Sequence, residues 1–333
     1  GKTKELEELK NQRENMQRKD EIISLDTQIA NKELEIDAIN YRIDKDIIYG
    51  NDFRNQQLSI YVGMGQQLNQ LDAKTTELDY SGKQQYNSYK EDFEKAKYMI
   101  ENNQNIVKMD DLRGVIMQFF SQYELFIIVL IIMVAGVIVS EEFNKGTVKL
   151  LLVRPYSRTK ILAAKYITTI LMILFAIIVV VVMQLIVGGI LFGFDSLQIP
   201  AVEYDFNTNS IVTMNPLVYL GIQALAKLPM YILVATIAFG FSTIFTNSAV
   251  AIIISFLGYM STSIINSLVI MYKVNFMKYF ITMNWNLDSY LFGNLPEMEG
   301  MTMTFSAVIC IAYLIIMLVP TFIIFKKKNI KNI

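Results

Sequence analysis

The sequence predicts an all-α polytopic membrane protein that carries an extracytoplasmic helical hairpin or coiled-coil region. Hydrophobic residues make up 53% of the chain and charged residues only 18%. Most of the charges lie in the first third of the sequence, and long apolar runs fill the remainder. This split predicts two regions: a helical region over 1–115 that lies in water and a transmembrane domain over 116–333 that lies in lipid.

The transmembrane domain is predicted from runs that are long enough to cross a bilayer. A helix needs about 20 mostly apolar residues for this purpose. A buried helix of a soluble protein explains one such run, but several in succession indicate membrane spans. Five runs qualify: 122–140, 166–194, 217–243, 247–271 and 304–325.

The orientation of these spans is predicted from the positive charges of the connecting segments. Lysine and arginine concentrate where the chain faces the cytoplasm. The 195–216 connection has neither, and the 272–303 connection has only Lys273 and Lys278. The 141–165 connection and the C-terminal tail are rich in them: Lys145, Lys149, Arg154, Arg158, Lys160, Lys165, Lys326, Lys327, Lys328 and Lys331. The 141–165 connection and the C-terminus are therefore expected in the cytoplasm.

The region over 1–115 is then expected outside the cell, and one further span upstream of Gly1 would carry it there, making six. Residues 3–47 are predicted to form one long helix, followed by a break near Gly50 and a second helical segment over about 53–105. The first helix has a heptad stripe. Its members are Ile22, Leu25, Ile29, Ile36, Ile39 and Ile43, with Lys32 between them. A spacer role, substrate capture and docking of an external partner all remain open for this region.

Composition also excludes several kinds of site. The chain has no histidine, which rules out Ser-His and Cys-His catalysis and histidine-ligated zinc. Its single cysteine, Cys310, lies in an apolar run and is interpreted as a packing residue. The net charge of −1 gives no basic field for nucleic acid. No catalytic residue and no metal site are predicted.

The 141–165 connection has the strongest local pattern. Gly146 permits a turn, and Thr147 is placed to cap a short helix over 148–153. Pro155 ends that helix, and Ser157 is placed to cap the helix that enters the second span. Arg154, Arg158 and Lys160 remain available for lipid phosphates or a protein partner. A short amphipathic helix between two spans suits contact with a cytoplasmic partner, and an ordinary anchoring loop is the simpler alternative.

This connection resembles the signature of permeases of the ABC-2 family. A preceding Phe119-Phe120-Ser121 and an apolar span with Gly136 are also similar to that family, and the likeness covers about 115–330. The residues that carry it are Glu142, Phe143, Gly146, Thr147, Lys149, Leu151, Leu152, Pro155, Ser157 and Arg158, ending in Ala164-Lys165. The chain departs from the family in lacking a first span and its leading amphipathic helix.

The resemblance implies a permease subunit with six spans that works in pairs, as a homodimer or a heterodimer, in the bacterial plasma membrane. A separate cytoplasmic ABC ATPase would dock on the first cytoplasmic loop and bind ATP and Mg²⁺. Some members of the family also carry a long external helical insert. The chain itself has no G-x-x-x-x-G-K-[ST] phosphate loop, so no cofactor is expected in it. The expected function is export of a hydrophobic or amphiphilic compound, such as an antibiotic, a peptide or a lipid-like molecule.

Two alternatives to transport remain open. The first is a non-transporting scaffold, or a secretion or phage-receptor type of protein with an external coiled coil. The second is an intramembrane enzyme, for which the spans offer no convergent set of catalytic groups.

Polar residues within the spans are the last candidates. Lys227 lies two residues before Pro229 in the third span, where an unpaired lysine costs about 3 kcal/mol. It is interpreted as facing the bundle interior, water or an interface, where an anionic substrate, a lipid headgroup or a structural partner would meet it. Trp285, Tyr290 and Phe292 within 280–292 suit an interfacial helix on the outer side or a re-entrant segment.

Overall fold

The computed structural model describes residues 1–14, 18–48, 50, 52–73, 78–106, 110–147 and 156–328. It divides into two compact units, and each is described by itself. The helical unit comprises Gly1–Lys108, Gln198–Asn215 and Phe292–Leu295. The membrane unit comprises Met109–Leu197, Pro216–Leu291 and Pro296–Ile333.

The helical unit has four helices: α1 (Lys2–Glu14), α2 (Lys19–Asp44), α3 (Phe53–Asp72) and α4 (Tyr80–Asn102). Aspartate side chains cap the N-termini of two of these helices. Asp52 accepts a hydrogen bond from the Arg54 amide at the start of α3, and Asp79 accepts one from the Gly82 amide at the start of α4. Such caps satisfy amide groups that have no partner within the helix.

The prediction of one long helix over 3–47 is wrong. Arg18 has an extended backbone (φ −85°, ψ 127°), so α2 begins afresh at Lys19. The helix α1 packs antiparallel to α2, with Lys2 Nζ 2.6 Å from Glu35 Oε2 and an Arg13–Asp26 ion pair. Ion pairs therefore hold α1 beside α2, in place of the extended coiled coil that the heptads suggested.

The heptad stripe is only partly buried. Leu25 and Ile29 are buried, but Ile43 is 70% exposed. Ala38 and Ile47 instead join Leu58 and Ile100 in a core between α2, α3 and α4. The second predicted segment is two helices, and the glycines at 63 and 65 do not interrupt α3. A Cβ on Gly65 would approach a Leu34 methyl carbon to 2.5 Å, so this glycine lets α2 and α3 pack closely.

A β-hairpin completes the helical unit and was not predicted. Its strands are β1 (Ala201–Asp205) and β2 (Ser210–Met214), paired antiparallel with Ala201 opposite Met214. The Asp205 carboxylate accepts a 2.8 Å hydrogen bond from the Asn207 amide, and Asn209 adopts a left-handed conformation (φ 51°). Such Asx turns close short hairpins. Met99, Ile106 and Val202 form the contact between the hairpin and α4.

The membrane unit contains the five predicted spans, with small shifts at their ends. Two short helices, α5 (Leu112–Met117) and α7 (Ser140–Asn144), flank the first span. The spans are α6 (Phe119–Val137), α8 (Arg158–Phe192), α9 (Pro216–Ile244), α10 (Ser248–Met271) and α11 (Met303–Lys327). All five are long and apolar enough to cross a membrane.

The helix α9 lies at the centre of the membrane unit and contacts the other four spans. More than half of its most apolar window is buried, whereas α8 and α10 present most of their apolar side chains outward. Phe126 on α6 and Ile190 on α8 are 70% and 77% exposed. A lipid environment explains such surfaces, because every helix satisfies its own backbone and hydrocarbon covers the side chains. The protein is an all-α polytopic membrane protein with a small added hairpin.

The two ends of this bundle differ in composition. One end, here called the lysine-rich face, collects the C-terminal ends of α6, α9 and α11 and the first residues of α8 and α10. The other, here called the 3-10 face, carries the short 3-10 helices Asn275–Tyr279, Ile281–Met283 and Leu287–Gly293. The Asn266 side-chain amide donates to the Thr282 carbonyl and accepts from the Thr282 hydroxyl, which fastens this segment to α10.

Candidate functional site

The lysine-rich face holds the described residues of the predicted coupling connection. Its centre is a hydroxyl cluster: the Ser242 Oγ accepts from the backbone amides of Val139 and Ser140, and Ser140 Oγ lies 3.0 Å from Ser248 Oγ. These bonds join the end of α6 to α9 and α10. The connection therefore starts from a fixed point rather than from a frayed helix end.

Glu142 and Phe143 attach the start of the connection to other spans. Lys165 Nζ on α8 lies 2.6 Å from Glu142 Oε1 and donates to the Ile138 carbonyl at the end of α6. Phe143 is buried and meets Phe325 of α11 edge to face. Lys328 Nζ lies 4.1 Å above the Phe143 ring, at cation–π distance.

Gly146 and Ser157 have the local roles that the sequence predicted. Gly146 has a positive φ of 70°, which glycine adopts without a steric penalty. The Ser157 hydroxyl accepts from the Lys160 amide and caps α8. The Thr147 hydroxyl donates to the Glu142 carbonyl. The predicted helix over 148–153 lies outside the described residues, as do four of the predicted coupling residues: Lys149, Leu151, Leu152 and Pro155.

Arg158 has a structural role that the sequence did not indicate. It was interpreted as available for lipid phosphate or a partner, together with Arg154, which lies outside the described residues, and Lys160. Instead its guanidinium donates to the carbonyls of Lys326 and Lys328, at 3.2 and 3.0 Å. The C-terminal end of α11 is thereby capped by a side chain from α8.

Three cations thus cap three helix ends at this face. Lys165 caps α6, Arg158 caps α11, and Lys328 caps α9 by donating to the carbonyls of Thr243 and Ile244. Cations are favourable at helix C-termini because the last carbonyls carry partial negative charge. Burial lowers the pKa of Lys328. Arg158 and Lys165 lie on α8 and Lys328 follows α11, so each cap ties its helix end to a neighbouring element.

Lys227 lies in a charge cluster near the 3-10 face. Its Nζ is 2.6 Å from Glu124 Oε2 on α6 and 2.9 Å from Asp288 Oδ2 in the last 3-10 helix. The Tyr259 hydroxyl on α10 donates to the other Glu124 oxygen at 3.1 Å. Lys227 is only 11% exposed, and the two carboxylates are a little over one quarter exposed. Four elements therefore converge on a triad that has one more negative than positive charge.

Several buried polar atoms around the triad have no hydrogen-bond partner within the described part of the chain. They are Tyr231 Oη, Asn286 Oδ1, Asp288 Oδ1 and Glu297 Oε2. Tyr231 is 1% exposed and interacts electrostatically with Glu124, Tyr259 and Asp288. Burial, and then the nearby Asp288 carboxylate, raise the pKa of Glu297. The site has more acceptors than its own donors satisfy.

An apolar cavity of about 270 Å³ adjoins this cluster. It lies between α9, α10 and the 280–285 segment, and Tyr259 and Trp285 belong to both cavity wall and cluster surroundings. Trp285 is buried and lies between two of the short 3-10 helices. Gly258 also lines the cavity, and no atom lies within 4 Å of where its Cβ would be. Lys227, Glu124 and Asp288 are not among the residues that line the cavity, and Tyr259, whose hydroxyl donates to Glu124, is the link between the two.

The described residues contain no group of three or more His, Cys, Asp or Glu side chains arranged to hold a metal ion. The geometry of this site is suited to binding rather than to covalent chemistry, since the triad residues hold one another in ion pairs. Cys310 packs against the 3-10 segment, where its thiol donates to the Asn284 carbonyl.

The sequence named Lys227 but not its partners. Glu124 is the only charged residue within α6, and an acid at membrane depth requires a cation. Pairing the lone acid of the first span with the lone lysine of the third was therefore possible from the sequence. Asp288 and Tyr231 carried no comparable signal.

Comparison with known proteins identifies the family. The profile of a family described as Protein of unknown function (DUF2705) matches residues 84–331. The chain belongs to this family. The match includes the lysine-rich face, the charge cluster and the β-hairpin, which are accordingly parts of the family's shared region.

Two relatives come from Bacillus subtilis (strain 168). The uncharacterized protein YhcI is 35% identical over 205 residues, which are 60% of this chain and 64% of that protein. The uncharacterized membrane protein YdbK is 28% identical over 204 residues, 61% of this chain and 77% of that protein. The chain thus covers less than two thirds of YhcI. No solved structure matches.

Proposed function

We propose that the chain is the permease subunit of an ATP-driven exporter in the bacterial plasma membrane, which works with a second permease subunit and a cytoplasmic ABC ATPase. Its cargo is a hydrophobic or amphiphilic compound. In this proposal the lysine-rich face and the C-terminus are cytoplasmic and residues 1–115 are extracytoplasmic. The support is the ABC-2-like string over 142–165 together with the way its described ends are held.

The observation that carries the proposal is the set of three cation caps at the lysine-rich face. Glu142 and Phe143 at one end of the connection contact α8 and α11, while Arg158 at its other end contacts α11. A force applied to this connection by a nucleotide-driven motor reaches α6, α8 and α11 through short bonds. A purely anchoring loop has no need of such rigid attachment.

The test is a pull-down of the chain from native membranes, followed by reconstitution with the ABC ATPase that it retains. We expect the two proteins to co-purify, and the chain to raise or lower the ATP turnover of its partner. Thr147→Trp places a bulky side chain on the exposed part of the connection and should abolish both effects. Thr208→Trp, at the exposed turn of the hairpin, is the matched control and should change neither. ATP turnover that is identical with and without the chain contradicts the proposal.

A non-transporting scaffold is the second candidate, and the helical unit favours it. This unit has its own apolar cores and a buried ion pair in which Lys95 contacts Glu91 and Glu203 at 2.6 and 2.5 Å. Although burial opposes the charge, these carboxylates raise the pKa of Lys95. A stable unit of this kind suits docking of an extracellular partner. Stimulation of the ATPase in the experiment above would decide against this candidate.

A further inference from the structure

The cavity between α9, α10 and the 280–285 segment has a wall that is suited to hydrocarbon. Its volume is about 270 Å³, and the rings of Phe241, Tyr259, Phe280 and Trp285 lie in its wall. An apolar cavity of about 150 Å³ already holds benzene and stays free of water. The larger cavity here therefore has room for a segment of an alkyl chain.

The hydroxyl groups in the wall need no polar ligand. Those of Ser255 and Thr262 donate to backbone carbonyls within α10, both at 2.7 Å. The Thr282 hydroxyl donates to the Asn266 side chain at 2.7 Å, and the Tyr259 hydroxyl donates to the charge cluster at 3.1 Å. Since each of these donors has an acceptor within the protein, an apolar occupant leaves none of them without a hydrogen bond.

The cavity opens toward the surface of the bundle that faces lipid. Gly258, Ile265 and Phe280 belong to its wall and are exposed, Ile265 by 37% and Phe280 by 40%. The neighbouring Leu257 of α10 is 58% exposed. Gly258 keeps the wall open, since no atom lies within 4 Å of where its Cβ would be. Bilayer hydrocarbon is therefore the material next to the opening.

The depth of these residues along α10 agrees with this surrounding. Tyr272 follows the end of α10 and is 70% exposed, and Phe276 is 72% exposed. Exposed aromatic side chains favour the membrane–water interface. Ile265 and Gly258 lie about 10 and 20 Å before Tyr272 along the helix axis, at 1.5 Å per residue. The hydrocarbon core is about 30 Å thick, so acyl chains rather than headgroups lie at this depth.

We propose that this cavity binds one acyl chain of a bilayer lipid, which enters beside Gly258 and lies against the rings of Tyr259 and Trp285. A bound chain supplies the dispersion contacts that the walls of an empty cavity lack. The charge cluster takes no part in this binding, because its ion-paired residues do not line the cavity. The inference depends on the membrane unit alone and does not rest on the exporter function proposed above.

Trp285 provides the reporter, because it is the only tryptophan of the chain, lies in the cavity wall and is 3% exposed. The full purified chain is reconstituted in dioleoylphosphatidylcholine vesicles and in vesicles of the same lipid brominated at its double bonds. Bromine quenches tryptophan emission at short range. We expect brominated lipid to lower the Trp285 emission at least about twofold. Emission that brominated lipid leaves unchanged overturns the proposal.

Variants show whether the quenching bromine lies in the cavity, and each is compared with its own emission in lipid without bromine. Gly258→Phe fills the cavity and should restore most of the emission. Ile237→Phe fills it from α9 and gives the same test if the first variant fails to fold. Ile190→Phe adds the same ring to the outer surface of α8, where Ile190 is 77% exposed, and should be quenched as the parent is. Equal quenching in the parent and in a folded cavity variant overturns the assignment.

Two further arms separate a lipid chain from other occupants. Chemical crosslinking of the reconstituted chain tests a second copy: pairs that Gly258→Phe separates, with no quenching in the parent, would show that another copy covers the cavity. Octylbenzene, at about one molecule per hundred lipids, tests a soluble apolar compound, which would displace the brominated chain and restore the parent's emission. Either result overturns the lipid assignment, and quenching that octylbenzene leaves unchanged supports it. An absent ATPase effect with intact quenching would overturn only the exporter function.

Discussion

At the scale of single residues, the stability of the membrane unit depends on the ion pairs that Lys227 forms with two carboxylates. One lysine lies between Glu124 and Asp288, and the Tyr259 hydroxyl stabilises the outer oxygen of Glu124. Removing one member of a partly buried ion pair is costly because the charge left behind stays away from water. The cost is lower than for a fully buried pair, since both carboxylates are partly exposed.

We predict that Lys227→Met lowers the free energy of unfolding by about 2 kcal/mol, because it leaves two neighbouring carboxylates without their cation. Glu124→Gln should cost less, since Asp288 still pairs with Lys227 and the amide oxygen still accepts from Tyr259. Thermal unfolding of the purified chain in detergent, followed by Trp285 fluorescence, measures both. A Lys227→Met variant as stable as the parent would contradict the geometry of the cluster.

At the scale of helices and strands, the sequence predicted the spans well because length and apolarity alone define them. All five predicted runs coincide with helices, and Ser157 caps α8 as expected. The hairpin was missed because its two short strands interrupt an otherwise helical chain, and β1 is buried by packing rather than by an alternating pattern. The heptads over 22–43 led to the wrong prediction of one long helix, because short helices that pack against one another bury the same residue types as a coiled coil.

Helix ends are where the sequence was least informative. Which carbonyls Arg158, Lys165 and Lys328 cap depends on contacts between residues far apart in the chain, 168 positions for Arg158 and Lys326. The sequence supplied the charges but no means to assign their partners. For this reason Arg158 was interpreted as available for lipid phosphate or a partner rather than as a helix cap.

We predict that Arg158→Gln lowers the thermal midpoint of the membrane unit, by the equivalent of about 1 kcal/mol, because the end of α11 loses a charged cap. Lys145→Gln is the control: its ion pair with Glu141 is exposed and contributes little. Hydrogen exchange of the last turn of α11, measured by mass spectrometry, should rise only in the first variant. Equal stability of the two variants would show that the cap is not stabilising.

At the scale of the whole molecule, the proposed orientation places the hairpin turn and the lysine-rich face on opposite sides of the membrane. It follows from the excess of Lys and Arg in the 141–165 connection and the C-terminal tail, whereas 195–216 has none.

We predict opposite labelling of two introduced cysteines in a Cys310→Ser background. Thr208→Cys should react with a membrane-impermeant maleimide in intact cells, and Lys145→Cys only after the cells are permeabilised. Both positions are exposed, so access to the thiol depends on sidedness. The parent chain with Cys310 alone, which is buried, should label slowly under either condition. Labelling of Lys145→Cys in intact cells would reverse the orientation.

The three cation caps bear on how such a protein tolerates change. In the proposed orientation, the same lysine and arginine side chains direct insertion by their charge and then fix helix ends by their hydrogen bonds. A neutral substitution at Arg158, Lys165 or Lys328 therefore impairs both membrane insertion and the stability of a helix end. Exchange between lysine and arginine keeps the charge that directs insertion. It disturbs the hydrogen bonds at the helix end, because the two cations present their donors in different geometries. These positions are accordingly expected to tolerate fewer substitutions than Lys145 or Lys327, whose charge alone suffices.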